Sequence, residues 1–286
     1  MNFNLDSYVE IGNTHHICED YILHGEIGKI PFIVLSDGCS SSAHTDIGSR
    51  LIAVSFKRAL TDFINTCGSA NMSDDEVFNF IKSKVLYRLE YNLESLALKS
   101  SVADATMLYA FVFQGKLYTQ MYGDGHILLK HVNGDYTQVE RSYSENNPYY
   151  LSYQLDYMRN KAYSPSTALI ETTTNFPGSF DRVSINVPYN ECYSAVFDAA
   201  DIQLISIFSD GIESYQYLPN VDKASSHYRG AGISEPIYWV CEMSEYKNTN
   251  GEFVKRRMKR VSSDNTKAGI GHYDDVSVAS IWINHE

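Results

Sequence analysis

Apolar residues recur along this chain at two spacings, and the change from one to the other predicts its elements. Ile30 to Leu35 is a nearly unbroken apolar run, mostly β-branched or aromatic, halted by Ser36-Asp37-Gly38 as a buried strand entering a turn would be. A helix is predicted from about Thr45 to Cys67. Ser73-Asp74-Asp75-Glu76 then carries a capping-box signature, with Ser73 at the N-cap and Glu76 three residues on. Behind it Ile81, Val85, Leu89 and Leu93 repeat at i+4 and mark the buried stripe of a second helix reaching about Leu98.

Strand signals follow at Thr106–Phe113, Lys116–Tyr122, His126–Val132 and near Tyr136–Glu140, separated by Gln114-Gly115, Gly123-Asp124-Gly125 and Asn133-Gly134. Together these four predict a meander. Tyr143 to Ser166, rich in Tyr, Asn and Ser, reads as mostly loop with room for one helix, and further strands are expected near Ala168–Thr172, Arg182–Val187, Gln203–Phe208 and Val276–Asn284. The stretch from about Ile212 to Tyr273 is mixed. No linker, repeat or low-complexity run divides the chain, so residues 1–286 read as one domain of the α+β class, two mostly antiparallel sheets face to face with helices outside.

Charge narrows the function classes. Against 23 Lys and Arg stand 35 Asp and Glu, a formal charge of −12, which repels phosphate backbones and anionic lipid heads. Neither nucleic acid nor a membrane is an expected partner. No apolar stretch is long enough to span a bilayer, and the N-terminus has no basic start or apolar core, so a cytoplasmic location is expected. Cys18, Cys39, Cys67, Cys192 and Cys241 are odd in number and never form a C-x-x-C pair, which predicts free thiols and no cysteine-built zinc site.

Position gives some of the acids a purpose. Two apolar strands end alike, at Ser36-Asp37-Gly38 and Ser209-Asp210-Gly211, while Tyr122-Gly123-Asp124-Gly125 and Asp274-Asp275 place acids at two more strand ends. Any one of these taken alone is an ordinary turn. If the four ends meet at one sheet edge, their carboxylates repel unless cations sit between them, and hard oxygen ligands suit Mg²⁺ or Mn²⁺. Two such ions about 3.5–4 Å apart would lower the pKa of a shared water and hold it for in-line attack at phosphorus. No G-x-S-x-G, H-E-x-x-H or G-x-x-x-x-G-K-[ST] motif offers a different chemistry.

The ordered set Glu19-Asp20, Ser36-Asp37-Gly38, Asp104-Ala105-Thr106, Gly123-Asp124, Phe208-Ser209-Asp210-Gly211 and Asp274-Asp275-Val276-Ser277-Val278 resembles the metal-dependent protein phosphatases of the 2C type, the PPM family. Gly12-Asn13-Thr14-His15-His16 resembles the opening of a divergent bacterial branch. The resemblance implies a four-layer α-β-β-α sandwich, two Mn²⁺ or Mg²⁺ ions per chain with a third weaker one, and hydrolysis of phosphoserine and phosphothreonine in phosphorylated protein substrates. It also implies a variable flap-like insertion around residues 212–273. Asp37 would bridge both ions, the Gly38 carbonyl would bind one of them, and Asp210 and Asp274 would complete the other's shell. Glu19 and Asp20 would hold ion-bound water or ligate directly, and Asp124 would take the third ion.

Other positions depart from the family pattern or carry two readings. Asp275 stands where the family commonly has Asn, and Asp104 reads equally as a site residue and as a strand-start turn residue. His15 occupies the position at which relatives of the eukaryotic enzymes place a phosphate-clamping arginine, so His15 and His16 are candidates for phosphate contact or a packed or surface pair. Cys39 replaces a candidate general acid, a histidine, of the same relatives. These departures keep two alternatives open, a weak or inactive phosphoprotein-binding module and a phosphatase of a small phosphate ester. Ser40-Ser41-Ser42 reads as a loop over the metal site or a merely flexible one. The run Lys255 to Arg260 reads as a solvated helix face or a docking patch, and the tyrosines at 143, 149, 150, 153, 157 and 163 as a core edge or a protein-binding surface.

Overall fold

The computed structural model describes residues 1–67, 72–163, 167–176, 179–217, 240–241 and 243–285. Strand β1 (Asn2–Glu10) is followed by the hairpin β2 (Tyr21–Ile27) and β3 (Ile30–Ser36), then by helices α1 (Thr45–Cys67) and α2 (Asp74–Ser95). Next come β4 (Met107–Phe113), β5 (Lys116–Tyr122), β6 (Gly125–His131), β7 (Tyr136–Tyr143) and the short α3 (Tyr157–Ala162). The chain closes with β8 (Ala168–Phe176), β9 (Ser179–Val187), β10 (Tyr193–Asp198), β11 (Ile202–Phe208), β12 (Tyr215–Tyr217), α4 (Phe253–Lys267), β13 (Ile270–His272) and β14 (Val276–Asn284). The part of the expected flap at 218–239 and 242 lies outside the described residues.

Two antiparallel sheets form the centre, one of seven strands ordered β1-β14-β11-β6-β7-β8-β9 and one of five ordered β10-β5-β4-β3-β2. Strand β4 shows why the apolar runs are continuous. Leu108, Ala110 and Val112 point between the sheets, where they meet Ile127, Ile205 and Ile281, while Met107, Tyr109 and Phe111 face the layer of α1 and α2. Both faces are buried, so alternation disappears from the sequence. On the far side α4 packs Phe253, Val254, Met258 and Val261 against Leu128, Phe208 and Val278. The expected four-layer α-β-β-α order is the one found.

Local chemistry fixes the helices where the pattern placed them. At α2, Ser73 Oγ accepts from the Glu76 N–H, and the Glu76 carboxylate accepts from the Ser73 N–H at 2.7 Å, closing the capping box. The helix ends at Ser95, three residues short of the expected stop, and Ala97 follows with φ 53°. The basic run lies on α4, where Lys255 pairs with Glu252, Arg260 lies 3.7 Å from Asp264, and Arg256 donates to the carbonyls of Asn248 and Asn250. Tyr143, Tyr149 and Tyr163 form a small buried cluster with Tyr153 and Tyr189 at its margin, so a core edge accounts for them, whereas Tyr157 is exposed.

The expected meander is corrected. Strands β4 and β5 belong to the five-stranded sheet and β6 and β7 to the seven-stranded one, so Gly123-Asp124-Gly125 carries the chain from one sheet to the other. Gly123 makes the crossing at φ 80°, a left-handed backbone that favours glycine. Three strands without a sequence signal, β1, β2 and β10, are all edge strands whose residues are mostly half-buried or exposed. All five cysteines are free, and among the described residues no helix is long and apolar enough to cross a membrane.

Candidate metal centre

Antiparallel pairing alone brings the acids together. The end of β3 lies beside the start of β2, with Tyr21 opposite Ser36, which makes Asp20 and Asp37 neighbours. The end of β11 lies beside the start of β14, with Phe208 opposite Val278, which does the same for Asp210 and Asp274-Asp275. Asp124 sits at the crossing between β5 and β6; β6 adjoins β11, and β5 is separated from β3 by β4 alone. With Asp275 turned to the Gly12 and Glu19 N–H groups, five carboxylates reach one end of the sandwich from four strand ends and one inter-sheet turn.

The repeated Ser-Asp-Gly divides its work among its residues. Ser36 Oγ donates to the Thr106 carbonyl at 2.6 Å, and the Asp37 N–H donates to Thr106 Oγ1 at 2.9 Å, which fixes the β3 end against β4. Ser209 Oγ donates to the Asp275 carbonyl at 3.3 Å and accepts from the Ser277 N–H at 3.0 Å, fixing β11 against β14 in the same way. The glycine permits close approach: a Cβ on Gly211 would lie 1.8 Å from the Asp275 carbonyl oxygen. With the serine and glycine holding the backbone, each aspartate side chain is left for the shared space.

The five acids feel one another across this end of the sheets, although no three of them bring ligand oxygens within 4.8 Å of one another. Burial raises the Asp37 carboxyl well above the usual carboxylate range, and the charges of Asp20, Asp210 and Asp124 add to the rise. Burial likewise raises Asp124, with Asp210 and, less, Glu213 adding to it, against a backbone hydrogen bond and the charge of Arg141. Asp274 is raised by burial and by Asp210, and Asp20 is pushed up to about 8, chiefly by burial. Both Asp20 oxygens are buried and neither makes a hydrogen bond of good geometry, although Ser277, Asp37 and Ser209 lie close enough to oppose part of the rise. Among the described residues no lysine or arginine forms an ion pair with any of the five. Buried carboxylates that raise one another's pKa without a lysine or arginine ion pair are what a divalent cation would satisfy, so the residues fit the Mn²⁺ or Mg²⁺ that the sequence resemblance implies.

The remaining candidates take other places. Asp275 is buried and accepts from the Gly12 N–H at 2.8 Å and the Glu19 N–H at 2.7 Å, so it clasps the loop between β1 and β2. His15 lies in that loop, its Nδ1 3.1 Å from Asp275 and its Nε2 3.6 Å from Asp274. Burial opposes its protonation but is outweighed by Asp275, Asp274 and Glu19, and the imidazole pKa is raised. His16 is exposed. Glu19 turns to α1, where Thr45 Oγ1 donates to its Oε1 at 2.6 Å; a Cβ on Gly38 would come within 2.9 Å of both the Glu19 carbonyl and Thr45.

Asp104 has its oxygens engaged elsewhere. Arg159 of α3 donates to both at 2.7 Å, Ser42 donates to Oδ2 at 2.8 Å and Ser152 to Oδ1 at 2.6 Å. The Cys39 N–H donates to the Asp104 carbonyl at 2.8 Å. Asp104 is thus the tether of the 39–42 loop. Sequence reasoning did not single out Thr45, Ser152 or Arg159, because they lie 26 to 55 residues from the acids they hold, Glu19 and Asp104, and leave no local pattern. Tyr150, whose burial raises its hydroxyl pKa with help from Asp124, Cys39 and Asp37, also borders the site, carried there by the tyrosine-rich segment.

Comparison with known proteins agrees with this arrangement. A sequence model described as Protein phosphatase 2C matches residues 13–235, a span that includes Asp20, Asp37, Asp124 and Asp210. No curated protein sequence matches the chain. The serine/threonine phosphatase Stp1 from Staphylococcus aureus is similar in structure with a TM-score of 0.56 at 10% identity, over 100% of this chain and 96% of Stp1. PppA, a key regulatory component of T6SS in Pseudomonas aeruginosa, gives 0.51 at 13% identity over 99% of this chain and 98% of its own. A C. elegans sex determining protein gives 0.61 at 14% identity over 99% of this chain and 65% of its own. At these identities the structures speak for the fold, and the match across residues 13–235 speaks for descent: this chain belongs to the protein phosphatase 2C family.

Proposed function

We propose that this protein hydrolyses phosphoserine and phosphothreonine in protein substrates, using two Mn²⁺ or Mg²⁺ ions and, more weakly, a third. Asp37, Asp210, Asp274 and the Gly38 carbonyl would hold the pair, with Asp20 and Glu19 beside it and Asp124 at the third position. The observation that carries this reading is the set of five aspartates at one end of the two sheets, with Asp20 buried and, among the described residues, no lysine or arginine in an ion pair with any of them. Bound divalent ions supply Lewis acidity towards a phosphate ester and lower the pKa of water.

The chain's own residues position and charge this site. Ser36, Ser209 and Thr106 hold the ligand-bearing strand ends, and Thr45 orients Glu19. His15 stands where an arriving phosphate would meet the acids, and its raised pKa favours the charged imidazolium. It offers one hydrogen bond where an arginine would offer two, so phosphate binding weaker than that of an arginine-bearing relative is expected.

Metal-stripped protein should be inactive on a phosphothreonine peptide and on p-nitrophenyl phosphate, and regain activity with Mn²⁺. A higher kcat/KM on the peptide supports a protein substrate, and a higher value on small phosphates points to a metabolite phosphatase. Equal rates before and after Mn²⁺ is restored would overturn the reading. The engagement of His15 with Asp274 and Asp275 favours one second reading, a scaffold that binds phosphoproteins without turnover. Phosphopeptide binding with no hydrolysis would establish it.

A further inference from the structure

A second group of ligand-type side chains lies on the opposite face of the seven-stranded sheet. Ile127 points into the core between the sheets, whereas Leu128 packs beneath α4, so His126, two residues before Leu128, shares the outer face. Glu140 of β7 is directly opposite His126 in the register. Glu213 reaches the same point from the turn Asp210–Ser214, placing its Oε1 3.0 Å from His126 Nε2. Among the described residues these three are the one group whose histidine, cysteine or carboxylate ligand atoms all lie within 4.8 Å of one another.

The histidine shows that this is more than a pair of acids. Its side chain is 1% exposed and its Nε2 forms no hydrogen bond, although it points at two carboxylates. An N–H aimed at Glu213 would make an ordinary hydrogen bond at 3.0 Å; a lone pair shared with Glu213 around one ion would not. Ligands of one tetrahedral ion at about 2.1 Å lie about 3.4 Å apart, so a small outward turn of the exposed Glu213 carboxylate would set the pair around an ion. Gln138 supplies a matching outer partner. Its amide lies 3.5 Å from His126 Nδ1, and its Oε1 is buried without a partner. Turning that amide by half a rotation brings the oxygen to Nδ1, which then carries the proton and donates, so that Nε2 keeps its lone pair. The adjustment leaves the imidazole in the tautomer that binds a metal.

Charge points the same way. Among the described residues no lysine or arginine forms an ion pair with Glu140 or Glu213, and Arg182, the nearby cation, is 3.1 Å from Glu171. Two carboxylates and a neutral imidazole match a divalent ion in charge. One nitrogen donor selects a borderline transition ion over Mg²⁺ and Ca²⁺, which prefer oxygen alone. Glu213 is 42% exposed on its side chain, which leaves a path from solvent.

We infer that His126, Glu140 and Glu213 form a separate binding site for one Zn²⁺-type transition ion. Because Glu213 and Asp210 belong to one short turn, an ion there would pin the turn that presents Asp210 to the other centre.

Zn²⁺ binding to the chelator-stripped full chain, measured by calorimetry in excess Mg²⁺, tests the inference independently of phosphatase activity. One Zn²⁺ per chain should bind in the parent protein and in Asp37→Asn, and the affinity should fall about 10-fold or more in His126→Gln and in Glu140→Gln. Either variant counts once its far-UV circular dichroism matches the parent. X-ray absorption at the zinc edge should show imidazole scattering in the parent protein. Zinc affinity unchanged in both variants, or a zinc shell of oxygen alone, would overturn the site.

Discussion

Asp37→Asn should fold normally yet lose phosphate-ester hydrolysis by about 10²-fold or more, the scale of removing one electrostatic contact to a reacting centre. The backbone there does not depend on the carboxylate: the Asp37 N–H donates to Thr106 Oγ1 and the Asp37 carbonyl accepts from the Thr106 N–H at 2.8 Å. The charge is another matter. Asp37 is the acid that feels Asp20, Asp210 and Asp124 together, the position from which one carboxylate can serve two ions. Its loss should therefore act in opposite directions on two readouts. Without metal at pH 8 the variant should melt higher than the parent, because a repelled carboxylate has gone. With Mn²⁺ the parent should gain about 5 °C or more at 100-fold excess over Kd, and the variant much less. A variant that was merely misfolded would melt lower in both conditions.

The metal-free protein should lose stability as pH rises, and Mn²⁺ should remove most of that loss. A carboxyl with a higher pKa in the folded protein than in the unfolded chain keeps its proton longer when folded. The native state then binds more protons across the window, and stability falls with pH. For Asp20 the window runs from the ordinary carboxylate range, about 4, up to about 8. Its contribution is full below the lower limit and lost as pH passes the upper one. Asp37, Asp124 and Asp274 are shifted in the same direction, so the slopes add. Thermal melts of chelated protein should drop by roughly 5 °C or more between pH 5.5 and 8.5, at about 2–4 °C per kcal/mol for a chain of this size. Divalent ions favour the ionised carboxylates, so the stabilisation by Mn²⁺ should grow over the same range. His272, where burial is outweighed by Glu10, adds a slope of the same sign that Mn²⁺ leaves in place. A melting temperature that climbs from pH 5.5 to 8.5 in chelator would contradict the buried acid cluster.

What the sequence revealed of this site depended on repetition and order. Ser36-Asp37-Gly38 and Ser209-Asp210-Gly211 announce each other, and the acids at strand ends follow one family's order, so the aspartates that meet at one end of the sheets were legible without a structure. The strands β3, β11 and β14, which present Asp37, Asp210 and Asp274, were legible too, because they are buried and largely apolar on both faces. The edge strands β1, β2 and β10 were not, since a half-exposed strand mixes polar and apolar residues without a strict period. Sheet membership was also hidden: Gly123-Asp124-Gly125 looks like a hairpin turn, and only packing reveals that it changes sheets. Asp104 and Asp275 carried the same chemistry as those aspartates, yet Arg159 and Ser152 hold the first and the Gly12 and Glu19 backbones the second. Such roles are set by long-range partners. His126 escaped for the same reason, its fellow ligands being 14 and 87 positions further along.

The central claim is that the acidic edge is a divalent-metal centre. Anomalous scattering from a crystal of the full chain soaked in Mn²⁺ would test it most directly. Two strong Mn²⁺ peaks between Asp37, Asp210 and Asp274, with a weaker third near Asp124, are the expected result. Mn²⁺ bound only elsewhere, with these aspartates facing water, would contradict the account.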